Sequence, residues 1–170
     1  MLMVRTGSGR KILLDLLPSL RRFARRLARS DDRGDDLLQE ACERMLRHVD
    51  TNLSVSIGPA WCYTVVRNTW IDVLRRGQRV QRNAETGAAL FDRADAAATA
   101  PHDAPSAIDI WRAIDGLTDD HREVILLCAI EDLDHDEVAK ILGVAAGTVR
   151  SRLARARLAL ARTLQMEGRT

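Results

Sequence analysis

The sequence predicts an all-α protein of two small helical domains, an N-terminal helical bundle and a C-terminal helix-turn-helix domain, joined by a flexible linker. Three observations carry this expectation. Apolar residues recur at steps of three and four over most of the chain, the period of helices with one buried face. Aromatic residues supply only 4% of the composition, whereas Ala, Leu and Arg dominate, a balance that favours helix over strand. Between Gly77 and Pro105 large apolar side chains are scarce, Ala and Asp repeat, and two prolines stand near the end. Such a stretch cannot bury much surface and reads as a linker. The expected divisions are therefore 10–76, a linker over 77–105, and 106–166, which suits a chain of 170 residues.

Ile12, Leu13, Leu16, Leu17, Leu20, Phe23 and Leu27 form one helical stripe, with Arg21, Arg22, Arg25, Arg26 and Arg29 on the other side. Pro18 would break a helix interior, so it is expected in a first turn beginning near Asp15, or at a kink. Ser30-Asp31-Asp32-Arg33-Gly34 reads as a turn, after which Asp35 or Asp36 can cap a second helix. That helix buries Leu38, Ala41, Cys42, Met45 and Val49 and shows Gln39, Glu40, Glu43, Arg44 and Arg47 outward. A loop over Asn52–Gly58 precedes Pro59, well placed at the first position of a third helix that runs to about Arg76.

Beyond the linker, Ser106 can cap a helix that buries Ile108, Trp111 and Ile114 and ends at Gly116. Thr118 caps the next, with Val124, Ile125, Leu127 and Cys128 inward. Asp134-His135-Asp136-Glu137 fits a capping box. A short helix carrying Val138, Ile141 and Leu142 then ends at Gly143, suited to a left-handed conformation. A new pattern of Val149, Leu153, Ala156 and Leu160 follows at once, and two helices joined by a tight Gly turn make a helix-turn-helix.

The formal net charge is only +2, but its distribution is informative. Arginines gather at Arg21–Arg29, Arg75–Arg82 and Arg150–Arg157, and lysine occurs only at Lys11 and Lys140. The planar guanidinium fork suits phosphates and base edges. The helix from about Ala146 to Thr163 carries Thr148, Arg150, Ser151, Arg152, Arg155 and Arg157 outward, so it can enter a major groove, with Arg reaching guanine and Ser or Thr reaching bases or phosphates. The plain alternative is an amphipathic helix with solvated arginines.

Cys42, Cys62 and Cys128 are odd in number and far apart, and His48, His102, His121 and His135 are scattered. Neither a disulfide framework nor a metal site is expected, and no cofactor is implied. No apolar run approaches a membrane span, so the expected location is the cytoplasm, without direct membrane insertion.

One resemblance is specific. Leu117-Thr118-Asp119-Asp120-His121-Arg122-Glu123-Val124-Ile125, Asp136-Glu137-Val138-Ala139-Lys140-Ile141-Leu142-Gly143-Val144 and Gly147-Thr148-Val149-Arg150-Ser151-Arg152-Leu153 resemble the C-terminal domain of extracytoplasmic-function sigma factors, which in that family reads the −35 promoter element. Some response regulators carry a related helix-turn-helix, so this half alone leaves two readings open. The other half separates them. Asp35-Asp36-Leu37-Leu38-Gln39-Glu40-Ala41 resembles the family's core-polymerase-binding helix. The run from Ala60 to Arg76, containing Trp61, Arg67-Asn68-Thr69-Trp70 and Arg75-Arg76, resembles its helix for −10 recognition and strand opening.

The resemblance implies a specificity subunit that binds core RNA polymerase through Asp36, Gln39, Glu40 and Glu43. It implies promoter DNA contacts from Arg67, Asn68, Arg75 and Arg76 in one domain and from Thr148, Arg150, Ser151, Arg152 and Arg155 in the other. It also implies an anti-sigma factor as a further partner, and a role for the Asn52–Gly58 loop in capturing an unstacked base. The sequence departs from the family at Cys42, where a larger apolar or aromatic residue is commoner. Mid-helix Asn68, a mediocre helix former, independently suggests a polar contact to a base edge. On the third helix Thr64, Arg67, Asn68, Asp72, Arg75 and Arg79 share a polar side, while Cys62, Val66, Trp70 and Val73 lie opposite.

Two other functions fit parts of the chain. A stand-alone dimeric helix-turn-helix regulator accounts for the C-terminal half but not for the N-terminal motifs. A nuclease would need its acids, such as Asp31, Asp32, Asp35 and Asp36, to converge with a His or a phosphate-cradling loop, and the sequence offers neither.

Overall fold

Two apolar stripes, on α1 (Val4–Ala28) and α2 (Asp31–Thr51), fold against each other as an antiparallel hairpin whose turn is only Arg29-Ser30. The computed structural model describes residues 4–51, 57–83 and 106–167. Arg29 ends α1 in the left-handed region, with φ 54. Ser30 starts α2: its carbonyl accepts from Gly34 at 2.9 Å, and Asp31 and Asp32 occupy the first turn, where the helix dipole favours acids. The helix therefore begins one turn earlier than an Asp35 or Asp36 cap would place it. Pro18 lies inside α1 rather than in its first turn.

Hairpin and third helix close one core. Leu20, Phe23, Ala24 and Leu27 of α1 meet Leu37, Ala41, Met45 and Val49 of α2 and Cys62, Tyr63 and Val66 of α3 (Pro59–Asn83), all buried. Burying each large side chain contributes roughly 1.5–3 kcal/mol. Tyr63 stands edge-on to Phe23, ring centroids 5.3 Å apart, a favoured aromatic geometry. The expected interior of α3 is partly shifted: Tyr63 and Thr69 are buried, whereas Trp70 and Val73 are half-buried. Thr69 meets its hydroxyl's need locally by donating to the carbonyl of Val65 at 2.8 Å.

Gly34 decides how closely the hairpin packs. A Cβ there would stand 2.3 Å from Cα and 2.7 Å from N of Arg25, so α1 and α2 cross backbone to backbone at this level. The stretch expected as linker from residue 77 is helical as far as Asn83, and 84–105 lies outside the described residues, as does most of the Asn52–Gly58 loop.

The chain divides into two compact units, Met1–Ala94 and Asp95–Thr170. In the second, Ser106 and Asp109 form a full capping box at the start of α4 (Ala107–Asp115), and Gly116 closes it. Thr118 precedes α5 (Asp119–Ile125), although its hydroxyl makes no cap. A π-helical turn over Leu126–Ile130 continues α5, so Leu126 joins Val124, Ile125 and Leu127 in the core while Cys128 is only half-buried. Ile108 was expected inside and is 54% exposed, because it lies in the first turn of α4 and Ala113 and Ile114 of the last turn fill the core.

Asp134 caps α6 (His135–Leu142), accepting from the amides of Asp136 and Glu137 at 2.8 Å each. Glu137 reaches back to the Asp134 amide, the expected capping box. Gly143 ends α6 with φ 67, a conformation that L side chains adopt only with strain. Three residues later α7 (Ala146–Glu167) begins, and it buries Val149, Leu153 and Ala156 against α4, α5 and α6. Among the described residues there is no strand.

Candidate polymerase and nucleic-acid interfaces

On α2, Asp36, Gln39 and Glu43 are exposed and share the side opposite Leu38, Ala41 and Met45. Glu43 makes only a long pair with Arg47, 3.5 Å, with both side chains mostly in solvent. Leu46, two turns on from Gln39, is 41% exposed, and Leu14 and Leu17 of α1 are exposed as well. The expected helix stripe had counted Leu17 as core. An exposed leucine carries no sequence signal of its own, since helical phase alone does not separate an apolar contact surface from a core.

Asp35 is spent inside the hairpin. Its carboxylate accepts two hydrogen bonds from Arg25 and two from Arg21, at 2.7–2.9 Å. These guanidinium groups, Arg25 first, hold its carboxyl well below the usual carboxylate range. Asp31 is likewise paired with Arg25. Two of the four acids that a nuclease would need, Asp31 and Asp35, thus tie α1 to α2, and Asp36 faces outward. Among the described residues no group of three or more His, Cys, Asp or Glu could hold a metal. The three cysteines are free thiols, and burial pushes Cys62 up to about 11, which leaves it protonated and unreactive at neutral pH.

Glu40 and Arg76, expected to serve different partners, are bonded to each other. The Arg76 Nη2 donates to both Glu40 oxygens at 2.9 and 2.8 Å, Arg44 donates to Glu40 at 2.7 Å, and Arg44 reaches Asp72 at 2.8 Å. One ion chain therefore runs from α2 to the polar side of α3. Arg76 and Arg44 lower the pKa of Glu40, and Arg44 lowers that of Asp72. Folding is thus favoured by these charges above the ordinary carboxylate range, and the contribution is lost as pH falls from that range through the lowered folded-state values. Glu40 is only half-exposed, unlike Gln39 beside it.

Along the same side of α3, Asn68, Arg75 and Arg79 are exposed and Arg67 is half-buried. Thr64 turns its hydroxyl onto the carbonyl of Ala60. Asn68 to Arg75 spans two helical turns, so an exposed amide and an exposed guanidinium stand in line along the helix.

In the second unit α6, the Gly143 turn and α7 have the helix-turn-helix order, and α7 presents Arg150, Ser151 and Arg155 fully outward. The Ser151 hydroxyl donates to the carbonyl of Thr148 at 3.0 Å, leaving its lone pairs for an incoming donor. Thr148 is half-buried. Arg152 is not among the outward groups: its side chain is 23% exposed and paired with Asp120 of α5 at 2.7 Å.

The sequence also gave no hint of Arg122. Its guanidinium is 2% exposed and bonded to Asp119. It donates further to the carbonyls of Leu117 at 2.6 Å and Asp115 at 3.4 Å, closing the corner between α4 and α5. Nothing in the spacing of an Arg among charged neighbours distinguishes a buried clamp from a solvated side chain.

Residues 12–80 match the family model for Sigma-70 region 2 and residues 107–160 that for Sigma-70, region 4. The first match covers the three-helix unit and the second the helix-turn-helix unit. The chain is 34% identical over 163 residues to the ECF RNA polymerase sigma factor EcfG of Rhodopseudomonas palustris, covering 96% of this chain and 88% of that one. It is 32% identical to the ECF RNA polymerase sigma factor SigM of Mycobacterium tuberculosis, over 85% of this chain and 71% of that one. Among solved structures it is similar to the sigma factor RpoE from Bartonella quintana, crystallised with the anti-sigma factor NepR. That likeness has a TM-score of 0.75 and 28% identity, over 94% of this chain and 98% of that chain. CnrH in complex with the cytosolic domain of CnrY shares the fold at TM-score 0.65. With both regional matches in one chain and similarity along nearly all of a curated relative, the chain belongs to the ECF RNA polymerase sigma factors.

Proposed function

We propose that this chain binds core RNA polymerase through the outer side of α2, reads and opens the −10 region with α3, reads the −35 element with α7, and catalyses no reaction itself. One observation carries the reading. An acidic and amide face, Asp36, Gln39 and Glu43, and a basic reading face, Arg150, Ser151 and Arg155, are exposed on separate units that match the two sigma-70 regions in order. The regions 10–76 and 106–166 are the working domains, and Leu17 and Leu46 extend the polymerase face with apolar area. No described helix is long and apolar enough to cross a membrane; the cytoplasm, where core polymerase works, is the proposed location. The Bartonella quintana relative is held by an anti-sigma factor, and the same kind of partner controls this chain.

Gln39→Lys should weaken binding to core polymerase with the helical circular dichroism signal and the unfolding midpoint unchanged, since Gln39 is exposed and makes no contact that holds the fold. A titration of labelled protein with core measures this. Unchanged affinity would place the polymerase contact elsewhere. Glu40→Lys should be the more damaging change, because it also sets a third cation beside Arg44 and Arg76 and so loosens α2 from α3.

Arg150→Ala or Arg155→Ala should cost about 1–3 kcal/mol if the side chain grips a base through both its donors, with relaxed discrimination confined to the upstream element. Asn68→Ala should leave upstream discrimination intact and impair use of the downstream element, most visibly on a closed duplex. Binding to promoters mutated separately at each element assigns the roles. Crossed effects, with Asn68→Ala altering only the upstream preference, would refute the two-domain assignment.

A further inference from the structure

Taking α7 to be the DNA-reading helix, as proposed above, we infer that Arg152 contacts no base and instead sets how α7 is presented, through its ion pair with Asp120. Arg152 lies between exposed Ser151 and buried Leu153, at the border of the packed face. Its Nη2 reaches the Asp120 carboxylate at 2.7 Å, the short length of a charge-assisted hydrogen bond. Asp120 belongs to the first turn of α5, and that turn is itself immobilised. Two residues on, buried Arg122 is pinned to the Asp119 carboxylate and to the carbonyls of Leu117 and Asp115. Apolar packing of Val149, Leu153 and Ala156 holds α7 in place, but such contact is non-directional. The ion pair adds a directional constraint on the helix's rotation about its axis, and that rotation aims Arg150 and Arg155.

Only Nη2 of Arg152 is engaged by Asp120, and a guanidinium has further donors, so the roles are told apart by where the loss falls. A base contact confines it to one base pair, and a phosphate contact shows in the salt dependence. A presenting role spreads the loss over every position that α7 reads and is shared by Asp120. The experiment uses polymerase reconstituted with the full chain and a panel of promoter fragments, each altered at one base pair of the upstream element. Arg152→Gln and Asp120→Asn should each reduce discrimination by about 3- to 5-fold, the worth of a partly exposed ion pair, and should do so across all positions that Arg150→Ala affects. The double variant should be no worse than either single one. Arg152→Lys, which can still reach Asp120, should keep discrimination near that of the unaltered chain. The slope of log affinity against log salt should be unchanged by Arg152→Gln.

The proposal is overturned if Arg152→Gln erases preference at one base pair while Asp120→Asn changes nothing, which is the signature of a base reader. It is overturned equally if Arg152→Gln lowers the salt slope by about one, the mark of a phosphate contact, or leaves the panel untouched, or if Arg152→Lys fails as badly as Arg152→Gln. Should Arg150→Ala also leave the panel untouched, the fault lies with α7 as the reading helix rather than with the ion pair.

Discussion

Gly34→Ala should destabilise the N-terminal unit by about 3 kcal/mol, a large effect for a single methyl group. The added Cβ would lie 2.3 Å from the Cα of Arg25, and backbone cannot swing aside as a flexible side chain can. The hairpin must part, which strains the Phe23, Met45 and Leu37 packing and the Asp35 pairs with Arg21 and Arg25. Gly77→Ala provides the control. Gly77 also sits inside a helix, but nothing lies within 4 Å of a Cβ there, so the same change should stabilise by about 0.5–1 kcal/mol through helix propensity. Urea unfolding followed by the fluorescence of Trp61 and Trp70 would show opposite shifts of the midpoint. Equal shifts would mean that the close crossing of α1 and α2 is not formed in solution.

Arg122→Ala should destabilise the second unit by about 3–5 kcal/mol, because a buried charge-paired group is lost and the carbonyls it served are left without their donor. Small domains have about 5–15 kcal/mol in all, so the change removes a large share of this unit's stability and should lower its unfolding midpoint by many degrees, with reading of the upstream element lost at a correspondingly lower temperature. Arg122→Met keeps the stem but not the donors and should recover only part of the loss. Measurements on Trp111, which belongs to this unit, isolate the effect from the N-terminal unit. A cost below about 1 kcal/mol for Arg122→Ala would mean that the guanidinium is solvated rather than clamped.

Helices, caps and the turn between α6 and α7 were legible because their signals are local. Asp134 with Glu137, Ser106 and Gly143 each declare their role within four residues, and each takes it. Where the sequence misled, a long-range partner decided the outcome. Asp35 looks like a cap, but the arginines of α1 take it once the hairpin closes, and Ser30 starts the helix instead. Glu40 and Arg76 look like two surfaces; they lie 36 positions apart in the chain and meet in one ion pair.

The same holds on α7. Helical phase places Arg150, Ser151, Arg152 and Arg155 outward alike; Arg150, Ser151 and Arg155 are so found, but Arg152 is drawn onto a neighbour that phase alone does not reveal. That neighbour, Asp120, is on another helix. Pro18 escaped for a different reason: an exposed proline in a long helix costs one backbone hydrogen bond, and the packed leucines and Phe23 around it outweigh that loss.

Transcription by core polymerase on a mixture of DNA templates, with and without this chain, tests the central claim most directly. The account predicts discrete new transcripts whose start sites share one upstream and one downstream element, with the same starts lost when Gln39→Lys or Arg150→Ala protein replaces the original. A chain that binds duplex DNA tightly by itself, never associates with core polymerase and leaves the transcript pattern unchanged would contradict it and point to a stand-alone regulator.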